Sequence, residues 1–215
     1  MVNLRHLLRT ALLACALALA AMQAAEPDAV GMVINITGET SPDLPVRTEI
    51  PANTAIKLGP QVELTFLHYR KCKLVTVAGG TVELSVSNFT TDGKIGREER
   101  GPCPRVYQLG GGPGGWVSRG LPPRLPVDSE IIFAGRRADK VTEAAVYSDD
   151  HSDRPLFRFE LVNRRAAEPT DTEPRTMEHR YVLRVRMNDQ PEPIEHSFVA
   201  IAPGAHGSLV VLRID

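Results

Sequence analysis

Two cysteines and one acidic loop are the places where this chain of 215 residues could carry chemistry. In the stretch LTFLHYRKCKLVTV at 64–77, Cys72 follows His68 by four positions, and Cys103 lies 31 residues further on. Three fates are open to Cys72: metal ligand, reactive thiol, or half of a disulfide. Metal binding with His68 is disfavoured by geometry. Residues four apart on a strand share a face but stand about 13 Å apart, too far for one ion. The local pattern is that of a strand, so His68 and Tyr69 read as a polar strand end covering the edge of a core.

The acidic loop is YSDDHSDRP, with Asp149, Asp150, His151 and Asp153 in five positions. Carboxylate oxygens suit a hard cation such as calcium. The stretch lacks the Asp-x-Asp-x-Asp-Gly spacing and distal Glu of a loop site, and Asp, Ser and His are common turn formers. His179, His196 and His206 stand singly beside turns and are expected to be exposed. No Gly-x-Ser-x-Gly elbow, His-Glu-x-x-His pair or nucleotide fingerprint is present, and these are the short patterns that specify a reaction. The chain therefore reads as non-catalytic, with no cofactor implied. A small exported redox or metal-dependent enzyme, centred on Cys72 and Cys103 or on the Asp149–Asp153 loop, is the alternative.

What the cysteines do depends on the compartment. Residues 1–25, MVNLRHLLRTALLACALALAAMQAA, carry Arg5, His6 and Arg9, then an uncharged apolar run, then small residues. This is the pattern of a secretory signal peptide, with cleavage expected near Ala24 or Ala25. The run is shorter than the roughly 20 residues of a membrane span, so no transmembrane anchor is expected after processing. Leu12, Leu13, Ala14 and Cys15 resemble a lipobox, but only five residues separate Arg9 from Cys15, too few for the apolar core that precedes an acylated cysteine. A periplasmic or secreted location follows. In such an oxidising space the two remaining cysteines are expected to pair. Closing the loop between Cys72 and Cys103 is worth about 3.5 to 4 kcal/mol in the chain-entropy account.

Removing the leader takes away two arginines and no acid, moving the net charge from −1 to −3. A chain so nearly neutral has no basic field to gather phosphates, which argues against nucleic acid as a partner.

The elements that must position these residues are strands. Val62, Leu64 and Phe66 alternate with Glu63 and Thr65, and Val82, Leu84 and Val86 with Glu83 and Ser85. Period two marks strands with one wet face. Pro42, Pro45, Pro51 and Pro60 exclude helices from the intervening stretches, and Gly38, Gly79 and Gly80 are expected to supply turns. The segments VGMVINITGE, TAIKLG, VELTFLHY, KLVTVAGG and TVELSVSNF form a compact antiparallel sandwich or small barrel in this reading.

The order GMVINITGE, then IPANTAIKLGPQVELTFLHY, then a Gly-Gly turn and TVELSVSNF resembles the periplasmic β-domain of the FecR-like family. The resemblance covers about sixty residues and rests on hydrophobic spacing and turns. It implies the small β-fold of that domain. The anti-sigma signalling role does not follow, since here the leader runs directly into the domain.

After Phe89 comes a polar segment, and then GGGPGGW at 110–116. The glycine run suits a linker and lacks the Lys-Ser/Thr of a phosphate loop. Trp116 either anchors that linker or meets a partner. The second half returns to strands: EIIFAG, KVTEAAVY, PLFRFELV, RYVLRVRM, HSFVAIAP and GSLVVLRI. Phe157, Phe159 and Leu161 oppose Arg158 and Glu160; Tyr181, Leu183, Val185 and Met187 oppose Arg184 and Arg186. Six or seven such strands fit an immunoglobulin-like sandwich.

The expectation is thus an all-β protein: signal peptide 1–25, FecR-like β-domain with a disulfide-tied polar tail 26–109, Gly/Pro-rich linker 110–126, and Ig-like β-sandwich 127–215. Its expected role is an exported binding or scaffold protein of the bacterial cell envelope. The partner is a protein or envelope component, and the candidate contact residues are Trp116 and the face carrying Arg158, Arg184 and Arg186.

Overall fold

The structure is a computed structural model that describes residues 28–109, 122–150, 153–167, 176–203 and 208–214. Residues 1–25, expected to be a leader, with Cys15 among them, and the glycine run, Trp116, His151 and His206 lie outside the described residues. Among those described, the chain is all β apart from one 3-10 turn at Ala138–Lys140. No helix among them is long and apolar enough to cross a membrane.

The first sheet has seven strands: β1 (Ala29–Thr37), β2 (Thr40–Ser41), β3 (Glu49–Pro51), β4 (Thr54–His68), β5 (Lys73–Leu84), β6 (Phe89–Thr91) and β7 (Lys94–Arg100). Its path is β3-β1-β4-β5-β6, with β2 on β4 and β7 on β5. The four segments TAIKLG, VELTFLHY, KLVTVAGG and TVELSV are two long strands, β4 and β5, paired across a register shift between Leu58 and Glu63. Gly79 and Gly80 therefore form a bend inside a hairpin rather than a turn between strands. Both have positive φ, +64° and +75°, which glycine adopts without steric cost. A Cβ on Gly80 would stand 2.5 Å from Asp92 Oδ1 and 2.6 Å from Gly93 N. The bend is thus closed by close backbone approach as well as by conformation.

The second sheet has nine: β8 (Pro104–Leu109), β9 (Arg124–Pro126), β10 (Ser129–Ala134), β11 (Val141–Ser148), β12 (Phe157–Val162), β13 (Arg165–Ala167), β14 (Arg180–Met187), β15 (Gln190–Ile201) and β16 (Ser208–Ile214). Its path runs β8-β16-β10-β13-β12-β11-β14-β15-β9. The alternation seen in sequence decides the core: Phe157, Phe159, Tyr181, Leu183, Val185 and Met187 are all buried. Arg158 and Glu160 are exposed. Parallel pairing of β8 and β10 with β16, and of β9 with β15, is not visible in alternation. The polar segment after Cys103 supplies β8, so in sheet pairing residues 104–109 belong with the second half. Arg105 of β8 donates to the Arg124 carbonyl of β9 at 2.6 Å, tying the two ends of the path together.

The two sheets share a third core. Met32 and Leu67, from β1 and β4, pack with Ile132, Ala134, Leu209 and Val211, from β10 and β16. This explains why β1 and β4 depart from simple alternation. Val33 and Phe66 face the first unit's own core, while their neighbours Met32 and Leu67 are buried on the opposite face by the second unit. Residues on both faces of these strands are consequently withdrawn from water, and apolar burial of this kind is the main favourable contribution to packing.

Candidate functional site

Cys72 and Cys103 are bonded, with Sγ atoms 2.01 Å and Cα atoms 4.7 Å apart. The Gly101 N–H donates to the Cys72 carbonyl at 2.8 Å. The bridge therefore clamps the β4–β5 hairpin loop to the segment that crosses into the second sheet. His68 is fully buried. Its Nδ1 accepts from the Lys71 N–H at 3.4 Å and its Nε2 lies 3.2 Å from the Ser85 carbonyl. Both ring nitrogens are thus engaged by backbone groups, of Lys71 and Ser85.

The acidic loop is likewise engaged locally. Asp149 lies 3.9 Å from Arg180, and Asp150 3.7 Å from His179. Among the described residues no group of three or more His, Cys, Asp or Glu converges as a metal site. His196, expected at the surface, is buried at 7% exposure because β15 turns it inward opposite Leu183. Burial disfavours the imidazolium and pushes its pKa down to about 4.

The arginine face of the second unit is present and internally compensated. Arg158 and Arg186 both pair with Glu143. Arg184 meets Glu195 at 2.6 Å and lies 4.1 Å over the Tyr147 ring. Three cations and two carboxylates thus alternate across β11, β12, β14 and β15. Much of the positive field that an acidic partner would meet is already neutralised.

A different set of arginines converges where the two units meet. The Arg213 guanidinium, on β16, grips the Glu49 carboxylate of β3 through Nε at 2.8 Å and Nη2 at 2.9 Å. The Tyr69 hydroxyl donates to the same carboxylate at 3.0 Å. Burial and the adjacent Glu49 charge hold the Tyr69 phenol well above its ordinary pKa, so it remains a donor. Beside this group, Glu130 Oε1 is buried between Arg47 at 3.3 Å and Arg165 at 3.0 Å, aligned for a hydrogen bond with neither. Burial lowers the Arg47 pKa against the pull of Glu130.

These groups border a cleft of about 440 Å³ at the junction, lined by Asp28, Arg47, Glu49, Arg136, Arg164 and Arg213 among others. Four arginines stand against two carboxylates there. The cleft residues come from 28–51 on one side and 134–213 on the other, which is why no local motif exposes them. The faint signals are GRR at 135–137 and NRR at 163–165, each an arginine pair following a turn residue.

Comparison with protein-family models, with curated proteins and with solved structures finds no match to this chain. The character of the cleft therefore rests on its own residues.

Proposed function

We propose that this is an exported, non-catalytic binding protein of the bacterial cell envelope, and that the junction cleft is its binding site. One observation carries the reading: two β-units packed through a common apolar core leave between them a fixed polar cleft of about 440 Å³. That size lies within the usual range for small-ligand sites. The groups lining it suit holding rather than reacting. Guanidinium groups stay charged at neutral pH and make poor acid–base catalysts. The Glu49 carboxylate is occupied by Arg213 and Tyr69, and the described lining includes no histidine, cysteine or serine.

Export is supported by the leader and by the bonded cysteines, since disulfides persist in oxidising compartments. The FecR-like resemblance of the first unit belongs to the same reading and agrees with a periplasmic setting. The test is intact mass spectrometry of the fractionated protein with thiol alkylation, under graded reductant. The expected species has lost about its first 25 residues, is found outside the cytoplasm, and keeps both cysteines blocked until strong reduction. A full-length cytoplasmic chain with free thiols would overturn the reading. A bridge that opens under mild reductant would move the assignment to redox chemistry at Cys72.

A further inference from the structure

We infer that the end of the first unit that carries the disulfide is a docking surface for an anionic phospholipid bilayer, with Arg70, Lys71, Arg100 and Arg105 as its cations and Val86 as its apolar tip. This surface is separate from the junction cleft. Three segments converge to make it. The β4–β5 hairpin loop supplies Arg70 and Lys71, and its next residue, Lys73, pairs through the backbone with Arg100 at the end of β7. The bridge from Cys72 to Cys103, with the Gly101 N–H on the Cys72 carbonyl, holds the segment leading to Arg105 against the same loop. The third segment is the turn Ser85–Asn88: the Ser85 carbonyl lies 3.2 Å from His68 Nε2, and Lys71 Nζ donates to Asn88 Oδ1 at 2.7 Å.

The charge of these segments is one-sided. Residues 69–73, 85–88 and 97–105 contain six cations, Arg70, Lys71, Lys73, Arg97, Arg100 and Arg105, and two acids, Glu98 and Glu99. Both acids are taken, Glu98 by Lys73 and Glu99 by Arg97. The hydrogen bond from Lys73 holds the Glu98 carboxyl below its ordinary pKa, and Lys71 adds to the pull, so these two lysines share one field. Nearby, Glu178 is taken by Arg124. Lys71 and Arg105 donate to neutral acceptors, the Asn88 amide and the Arg124 carbonyl, which leave their charge uncancelled. The Arg70 and Arg100 side chains make no hydrogen bond or ion pair among the described residues. Six cations against two acids leave an excess of four positive charges at one end of a chain whose net charge is −1. All four unmatched cations are exposed.

An acidic protein would also suit such a cluster, and Val86 decides for the bilayer. It is 52% exposed on a turn closed by the Ser85 N–H on the Asn88 carbonyl at 2.7 Å and the Asn88 N–H on Ser85 Oγ at 3.1 Å. A valine held outward beside Lys71 places an apolar group among basic ones. Surfaces that lie at a bilayer interface combine those two features: the cations meet lipid phosphates and the apolar side chain enters the acyl boundary. Because the bridge and the closed turn already fix the segments, docking has little chain left to order.

The experiment is flotation of the exported, oxidised protein with phosphatidylcholine vesicles prepared with and without phosphatidylglycerol, over a range of chloride concentrations. Expected is partition onto the phosphatidylglycerol vesicles that falls as salt rises, with little onto phosphatidylcholine alone. Each cation near an anionic surface is worth about fivefold in partition, so R70Q/R100Q should weaken binding at least tenfold. R158Q/R186Q, the same change in net charge on the compensated face, should bind as the parent does. V86S should weaken partition onto vesicles and leave retention on soluble polyglutamate unchanged. No partition onto phosphatidylglycerol vesicles at low salt, or an equal loss in R158Q/R186Q, would overturn the inference. Retention on polyglutamate as strong as on vesicles, with V86S without effect on either, would overturn it in favour of an acidic protein. Flotation reads neither cleft occupancy nor cellular location, so its failure leaves the cleft and the export test standing.

Discussion

Arg213 and Glu49 stand 164 positions apart in the chain and meet through two N–H···O contacts of 2.8 and 2.9 Å. The pair is about one-fifth exposed at the arginine and one-eighth at the acid. It closes the polar side of the junction whose apolar side is Met32, Leu67, Ile132 and Val211. Removing one partner of a buried pair strands the other charge. E49Q should therefore destabilise the protein by about 2 to 4 kcal/mol, read from urea unfolding. R213M, which strands the carboxylate, should cost a similar amount, and the double variant less than the sum. Additive losses would mean that the two side chains do not act as a pair.

R164G should behave in the opposite sense. It replaces a left-handed arginine, at φ +66° in the two-residue loop between β12 and β13 and strained by about 1 kcal/mol, with the residue that such a loop prefers. The thermal midpoint is expected to equal or exceed that of the parent. A clear drop in the midpoint would show that contacts of the Arg164 side chain outweigh the strain of its backbone.

His196 gives the protein a pH dependence of known sign. Its pKa falls from 6.5 in the unfolded chain to about 4 in the fold, so on acidification the unfolded chain takes up the proton first. Stability attributable to neutral His196 is complete above about pH 6.5 and is lost progressively as pH falls toward 4. The slope of unfolding free energy against pH should flatten between those values in H196Q. An unchanged slope would place the origin elsewhere.

The bridge between Cys72 and Cys103 closes a 31-residue loop. C72S/C103S should lose about 3 to 4 kcal/mol in urea unfolding if the denatured chain gains the full loop entropy. It should also loosen β8, whose pairing with β16 starts immediately after Cys103. Amide exchange in 104–109 faster than in the rest of the second sheet would be the local signature. Uniform exchange across that sheet would show that β8 is held by its pairing alone.

Most strands of the second unit were legible beforehand because period-two alternation reports a sheet with one dry face, as in Phe157, Phe159, Tyr181 and Leu183. The cysteine pair was legible for a different reason: once residues 1–25 are read as a leader, Cys72 and Cys103 are the two cysteines that remain. Alternation failed at Met32 and Leu67, where the second unit dries the other face as well. Gly79 and Gly80 read as a turn because the sequence shows that glycine frees the backbone, and a bend inside a hairpin uses the same freedom.

Local periodicity and composition, then, were sufficient for the β class and for strands dried on one face, since each depends on residues within a few positions, and the disulfide partners followed from reading residues 1–25 as a leader. The junction depended on pairing across the chain. Parallel contacts of β8 with β16, the Glu49–Arg213 grip and the four-arginine cleft join segments that share no pattern. An arginine reads the same in sequence whether it is solvated on a strand face, like Arg158, or gathered into a cleft, like Arg164. The difference is made by the neighbours that folding brings to it, and by the turn that aims it.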